Sequence, residues 1–411
     1  MMTFTKHPHW PAVKKICERL HESGFVAWLA GGCVRDGLLG LVPQDFDIVT
    51  NATVDEIQNM FKKTVGVGKA FGVMRVIIPG ADIEVATFRK DGPYEDGRHP
   101  TKILEGAQPQ EDAERRDFTI NALFFDIFNN EVKDFVDGRK DLKTHTIRTV
   151  GKAEDRFQED HLRIMRAVRF VSQLDFNIEE KTLKAITKLA SLVAEVSRER
   201  IQAEFEKLLI GKRPDRGIRL MHETGLLKIL VPELDYQPEW PLLMKKTIGS
   251  IYQGPVCWTI MLEGKSPAEL EKIYSHLRFS NLNKELIGGA IRGIEKFRNF
   301  KELRLSEKKE LAANKTSYLA IEYLEITDHP LTPPVKKFIH DHPALPKPWV
   351  NSDQLMELGI KPGKEMGMLL ARVYEAQLSE VVDSPKAAIK WIEEKIKKVS
   401  DTNRTARMMR K

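Results

Sequence analysis

Across the first 150 residues, short apolar runs alternate with polar positions at strand length. Residues 26–30, 46–49, 73–78 and 83–88 show this pattern, separated by Gly, Pro and Asp turns. The turn over 79–82 predicts a hairpin. Val13, Ile16, Cys17 and Leu20 recur at helical period and predict a helix over 11–22. A cap-like Asn51/Thr53 followed by Ile57, Met60 and Phe61 predicts a second over 53–63. From about residue 151 the strand signals fade. Residues 155–172, 179–194, 198–210 and 214–224 predict amphipathic helices, with Gly225 as a stop. Pro232, Pro238, Pro241 and Pro255 mark a looser join, and more helices follow to about 327. A Pro-rich stretch over 330–348 predicts a linker or bracing loop, and a final helical segment spans 352–398. The expectation is an α+β N-terminal part with a small mixed sheet, followed by an all-α remainder.

Composition changes this picture little. With 411 residues the chain is too long for one core, and its 42% hydrophobic and 30% charged residues are ordinary for a globular protein. Cys17, Cys33 and Cys257 have no metal-like spacing and form no disulfide framework, so a reducing cytoplasm is expected. No run of 18 apolar residues exists, so no membrane span is expected. A net charge of +6 fits a polyanionic partner without identifying one.

The candidate chemistry starts at Asp45-Phe46-Asp47. In a strand, residues two apart share a face, so Asp45 and Asp47 would point together while Phe46 and Ile48 enter the core. Paired carboxylates repel, and a divalent cation between them offsets that cost. Oxygen-only ligation with partial hydration suits Mg²⁺ bound together with nucleotide phosphates. Glu84, out of phase with Ile83 and Val85, is a candidate third carboxylate on that face. Taken alone, the segment fits a turn residue and an edge charge better. Its neighbours reverse that. Gly31-Gly32-Cys33-Val34-Arg35-Asp36 is a strand running into a Gly-Gly turn and a helix start, where backbone at Gly32 can approach phosphate and Arg35 adds a guanidinium.

Four motifs in order, Gly31 to Asp36, Asp45 to Asp47, Arg115-Arg116-Asp117-Phe118-Thr119-Ile120-Asn121 and Glu159-Asp160-His161-Leu162-Arg163, resemble those of the class II tRNA nucleotidyltransferase and bacterial poly(A) polymerase family. The resemblance implies a nucleotidyltransferase head over 1–150, a nucleotide-selecting and RNA-binding neck over 151–212, a body over 213–329 and a tRNA-binding tail over 330–411. It implies Mg²⁺-dependent addition of nucleotides to an RNA 3′ end without a nucleic-acid template. Two metal ions held by Asp45 and Asp47 would activate the RNA 3′-hydroxyl and neutralise the pyrophosphate leaving group, with Glu84 a candidate to position the hydroxyl.

The same resemblance places Arg116 on the triphosphate, with Asp117 and Asn121 either on a ribose hydroxyl or holding the motif. Asp117 as a helix cap remains an equal alternative. Asp160 and Arg163, three apart on a predicted helix, would form a protein template for the base. A carboxylate accepts from the exocyclic amine shared by cytosine and adenine and rejects the carbonyl of uracil and guanine. Arg166 and Arg169 continue that stripe and suit phosphate or helix support. Residues 91–100 resemble the loop associated with switching from C to A. Val136 to Leu142 resembles a short hinge. Residues 197–201 with Glu204, and 350–370, resemble the neck and tail of CCA-adding enzymes, which points to tRNA, CTP and ATP as partners. A-only addition, poly(A) synthesis and a degenerate RNA-binding relative remain alternatives. His340-Asp341-His342 lacks further ligands nearby and reads as a loop.

Overall fold

A computed structural model of the chain describes residues 3–68, 72–94, 97–98 and 100–408. The chain divides into two compact units. One holds the residues up to Gly249 with Glu271–Arg278; the other holds Ser250–Leu270 and the chain from Phe279 onward.

The first unit is built on a seven-stranded sheet. Its strands are β1 (Trp28–Ala30), β2 (Asp47–Thr50), β3 (Thr64–Gly68), β4 (Val73–Ile78), β5 (Ala81–Thr87), β8 (Leu123–Asp126) and β9 (Glu131–Asp134), in the spatial order β3-β4-β5-β2-β1-β8-β9. Strands β6 (Arg89–Asp91) and β7 (Ile103–Glu105) form a separate hairpin. Only the β2–β5 pair of the large sheet is parallel, so the sheet is mixed as expected. The alternation that marked β5 is real: Ile83, Val85 and Thr87 are buried while Asp82 and Glu84 are exposed. Strands β3, β8 and β9 had no such mark. Leu123-Phe124-Phe125-Asp126 is buried on both faces, β9 is mostly polar, and β3 carries Gly66 and Gly68.

Helices α1 (Trp10–Glu22), α2 (Gly32–Leu38), α3 (Val54–Met60), α4 (Pro109–Glu114) and α5 (Gly138–Lys143) surround the sheet, and α6 (Ala153–Glu159), α7 (Leu162–Leu174), α8 (Glu180–Leu189), α9 (Arg198–Leu209) and α10 (Pro214–Glu223) follow. The helical part keeps one short parallel pair, Thr146–Ile147 with Asn177–Ile178. The helix expected over 155–172 is broken. Asp160 is extended (φ −137°, ψ 105°), and its carboxylate accepts from the Leu162 N–H at 3.1 Å. Asp competes for nearby backbone donors in this way, which ends α6 and starts α7 despite an unbroken apolar period.

In the second unit the Pro-rich stretch contains a helix, Thr332–Asp341, with Pro333 and Pro334 in its first turn, where a missing N–H costs nothing. His340 and Asp341 therefore end a helix rather than lie in a loop. The segment over 352–398 is three helices, Ser352–Glu357, Lys364–Leu378 and Pro385–Met408, around a core of Val350, Leu355, Met366, Val373, Val382 and Ile392. Trp258 is buried against Phe279, with ring centroids 4.8 Å apart.

Candidate active site

The end of β1 and the start of β2 lie side by side, Ala30 opposite Asp47. From Ala30 the chain turns at Gly31 into α2. Gly31 has φ 73° and ψ −128°, a conformation that an L side chain rarely adopts. A Cβ there would lie 3.2 Å from Arg116 Nη1 and 3.9 Å from Asp47 Oδ2, so glycine also makes room for the site itself.

Asp47 opens β2, but Asp45 lies in the bend before it, not in the strand as expected. Phe46 is still buried between them, so the two carboxylates remain on the open side. Phe46 packs against Phe4, His7 and Trp10 at ring distances of 5.9, 5.1 and 6.0 Å. The N-terminal segment thus backs the acidic pair, a contribution that residues so far away in sequence did not advertise. Glu84 is the direct partner of Asp47 across the parallel pair β2–β5, yet it is exposed and does not line the cleft. Burial, then the Asp45 and Glu84 charges, push the Asp47 carboxyl up to about 6, opposed by Arg116. That is a site short of positive charge. Among the described residues no three His, Cys, Asp or Glu side chains gather to hold a metal unaided. Two carboxylates suit an ion that keeps water and shares substrate phosphates, as Mg²⁺ does. Cys33, beside Asp47, is buried, and desolvation pushes its thiol up to about 12, so it is no nucleophile.

The pair opens into a cleft of about 790 Å³ lined from α2, the motif after α4, α7 and the end of α9. Asp45, Asp47, Gly32, Arg35, Arg116, Asp117, Asn121, Asp160, Arg163, Arg166 and Arg169 all line it. Arg35 donates to Asn121 Oδ1 at 2.7 Å and to Asp36 at 2.8 Å, with its guanidinium 5.3 Å from the Phe170 ring centroid. Arg116 is aimed by Asp112, a fully buried carboxylate that accepts from its Nε at 3.1 Å and from Arg115 Nε at 2.9 Å. The sequence alone marked no role for Asp112; its position on α4, four residues before Arg116, was the available signal.

Of the alternatives for Asp117, the geometry removes the helix cap. Its Oδ2 accepts from Arg166 Nε at 2.8 Å, and Oδ1 accepts from the Phe118 N–H at 2.8 Å and Asn121 Nδ2 at 3.2 Å. Burial alone would raise its carboxyl, but the Arg166 charge and hydrogen bonds outweigh it and hold it down at about 2. Arg169 pairs with Glu204 at 2.8 Å, and burial with the nearby Arg166 lowers it to about 10.

Asp160 and Arg163 are not paired with each other. Asp160 holds Arg200 at 3.0 Å, and Arg163 holds Glu159 at 2.6 Å and the Arg115 carbonyl at 2.9 Å. Arg200 was read only as part of a neck motif, because a contact 40 residues away leaves no local pattern. An ionised carboxylate has about four lone-pair sites and a guanidinium five N–H donors, so both groups keep capacity for a base. In the loop over 91–100, Glu95, Asp96 and His99 lie outside the described residues. Tyr94 donates to Asp91 at 2.6 Å, and the His161 N–H donates to the Gly97 carbonyl at 3.2 Å, so this loop touches the break before α7.

A mixed sheet with an acidic pair at the start of its central strand and a cleft of aimed arginines defines a nucleotidyltransferase. Residues 27–148 match the family described as "Poly A polymerase head domain", and residues 175–237 match "Probable RNA and SrmB- binding site of polymerase A". A CCA-adding enzyme of Ligilactobacillus salivarius is 34% identical over 397 residues, 93% of this chain and 96% of the relative. One from Enterococcus faecalis is 36% identical over 365 residues, 87% of this chain and 89% of the relative. The crystal structure of the Bacillus stearothermophilus CCA-adding enzyme in complex with CTP superposes with a TM-score of 0.74 at 26% identity, covering 96% of this chain and 99% of that one. The chain belongs to the family of CCA-adding nucleotidyltransferases. Nucleotidyltransferases of this family are generally metal-dependent. Among the described residues no helix is long and apolar enough to cross a membrane.

Proposed function

We propose that this enzyme completes the CCA end of tRNA in the cytoplasm, adding C, C and A in turn to the 3′ end from CTP and ATP with release of pyrophosphate. The observation that carries the reading is a single cleft lined both by the Asp45/Asp47 pair and by Asp160 and Arg163. The reading is supported by relatives named CCA-adding enzymes and by a related structure that holds CTP. In the resulting division of labour, residues 1–150 form the catalytic head, 151–212 the selecting neck, 213–329 the body and 330–411 the tRNA-binding tail.

Asp45 and Asp47 would hold Mg²⁺, which when bound acidifies the attacking 3′-hydroxyl and neutralises charge on the leaving pyrophosphate. Glu84 lies outside the cleft lining but directly across from Asp47, and from there it would orient the hydroxyl at the cleft's margin. Gly32 lets backbone approach the triphosphate, and Arg35 and Arg116 face it from fixed positions. Asn121 steadies Arg35, while Asp117, Arg166 and Arg169 hold the strand-to-helix joint. Asp160 accepts from the amine of cytosine or adenine and Arg163 donates to the ring nitrogen beside it. A mismatched base leaves a buried polar group unpaired, at about 1–3 kcal/mol.

The test uses purified protein, Mg²⁺, and tRNA transcripts ending before CCA or after CC, with generic RNA as control and each labelled nucleotide in turn. C, C and A incorporated in order, stopping at three, is expected. Long A tails on generic RNA would make it a poly(A) polymerase, and A added only to the CC-ending transcript would make it an A-adding enzyme.

A further inference from the structure

The cations lining the cleft fall into two groups by their partners. Every arginine lining the cleft stands against a carboxylate, whether Asp36, Asp112, Glu159, Asp117 or Glu204. Lys207 and Lys212, which line the same cleft, are exposed and have no ion pair among the described residues. Between them Ile210 is 61% exposed in the same wall. Across from it on α7, the Gln173 side-chain oxygen is buried without a hydrogen-bond partner. An exposed aliphatic side chain, two unpaired ammonium groups and an orphan acceptor thus share one end of a catalytic cleft.

This end is fixed in place. Ser172 Oγ on α7 donates to the Leu208 carbonyl at 2.5 Å, and the Arg213 N–H donates to the Ser172 carbonyl at 2.8 Å. A Cβ on Gly211 would collide with Ser172, so close approach of the two segments requires glycine there. The helix that presents Arg163 near its start therefore sets the position of Lys207, Ile210 and Lys212 at its end. Arg163 and Gln173 are ten residues apart on α7, about 15 Å along its axis.

We infer that this end of the cleft seats the RNA strand just upstream of its 3′-terminal nucleotide. Lys207 and Lys212 take backbone phosphates, Ile210 packs against a base or sugar, and the Gln173 oxygen accepts from a base amine or a 2′-hydroxyl. The chemistry of the cations favours this assignment. A primer must advance with each addition, and an ammonium on a flexible stem can follow a moving phosphate. A guanidinium locked to a carboxylate serves a nucleotide that always returns to one place. The inference rests on the reading of the protein as an RNA nucleotidyltransferase.

The test compares wild type with the Lys207→Ala/Lys212→Ala double variant. Dissociation constants for a tRNA transcript ending in CC are measured from 50 to 300 mM salt, alongside KM for ATP. Both lysines are exposed, so folding is expected to survive, and thermal melting checks it. Losing two phosphate contacts on a single strand should flatten the plot of log K against log salt by about 1.4 and weaken binding about 10- to 30-fold at 0.1 M salt, with KM for ATP unchanged. Ile210→Ser should weaken RNA binding at an unchanged slope. If wild type extends RNA and the double variant binds it with the same slope and affinity, the inference is wrong. A raised KM for ATP with RNA binding intact would assign the lysines to the triphosphate and also overturn it. Wild type that extends no RNA would instead remove the functional reading on which it rests.

Discussion

Asp117→Asn tests whether this carboxylate holds the joint between the sheet and α7 or serves the nucleotide. The change keeps the side chain's shape and an acceptor for the Phe118 N–H, but it removes the charge that faces Arg166. Arg166 is then left with Glu204, 3.9 Å away. Asp117 falls from 3.8 to about 2 on folding. At about 1.4 kcal/mol per tenfold change in proton affinity, that drop gives about 2–3 kcal/mol as an upper bound. Side-chain exposures of 10% for Asp117 and 31% for Arg166 reduce it to about 2 kcal/mol. The sign follows from the direction: a depressed carboxyl stabilises the fold above its unfolded value, and that stability is lost as pH falls toward 2. Urea unfolding at pH 7.5 should therefore show Asp117→Asn less stable by about 2 kcal/mol, with about half of the difference gone at pH 3. A difference that stays constant with pH, or no destabilisation at all, would refute the pairing as its origin. Were Asp117 a ribose ligand, the variant would raise KM for CTP and ATP together while leaving stability alone.

Phe4→Ala removes a buried ring from behind Asp45-Phe46-Asp47 and should cost about 3–5 kcal/mol; a melting temperature equal to wild type would show that the N-terminal segment does not support the site. Asp47→Asn should abolish transfer. It should also stabilise the metal-free protein by about 1–3 kcal/mol at pH 8, because a carboxyl raised to about 6 on folding costs stability above that pH and nothing below pH 4; melting curves in chelator at both pH values check this, and an equal gain at both would contradict it. Gly31→Ala forces a side chain into φ 73° and against Arg116, so it should cost about 1–2 kcal/mol of stability and raise KM for CTP, measured by initial rates; wild-type kinetics would count against the close approach. Asp160→Ala should relax the choice of CTP and ATP over UTP and GTP in single-nucleotide incorporation, and unchanged discrimination would argue against its contact with the base.

What was legible in the sequence was whatever a short repeat could encode. The period of two around Phe46 showed that Asp45 and Asp47 face the same side, and this survives although β2 begins only at Asp47. The hairpin between β4 and β5 was marked by its turn, and the Gly-Gly step by its place after a strand. What failed was set by single side chains acting against the pattern, or by distance. The apolar period runs straight through Asp160 and hides the break that its carboxylate makes by capturing the Leu162 N–H. Strand β8 is apolar on both faces, so it lacks the alternation of a half-exposed strand. Asp117 with Arg166 and Asp160 with Arg200 join residues 49 and 40 apart, and no local rule names such partners.

These partnerships explain how one cleft can carry so much charge and still fold. Its arginines are balanced by carboxylates within the protein, so they supply fixed donors without leaving a large local excess. Two places are left unbalanced, and they have opposite sign. At Asp45 and Asp47 burial, and carboxylates in excess of the cations near them, push Asp47 up; Lys207 and Lys212 make no ion pair among the described residues. A bound divalent ion corrects the first and a polyanion the second. The two classes should therefore separate on mutation. Removing one member of a balanced pair strands a charge in the fold and lowers stability. Neutralising an unbalanced group relieves repulsion or leaves stability nearly unchanged, and shows its cost only when substrate is present.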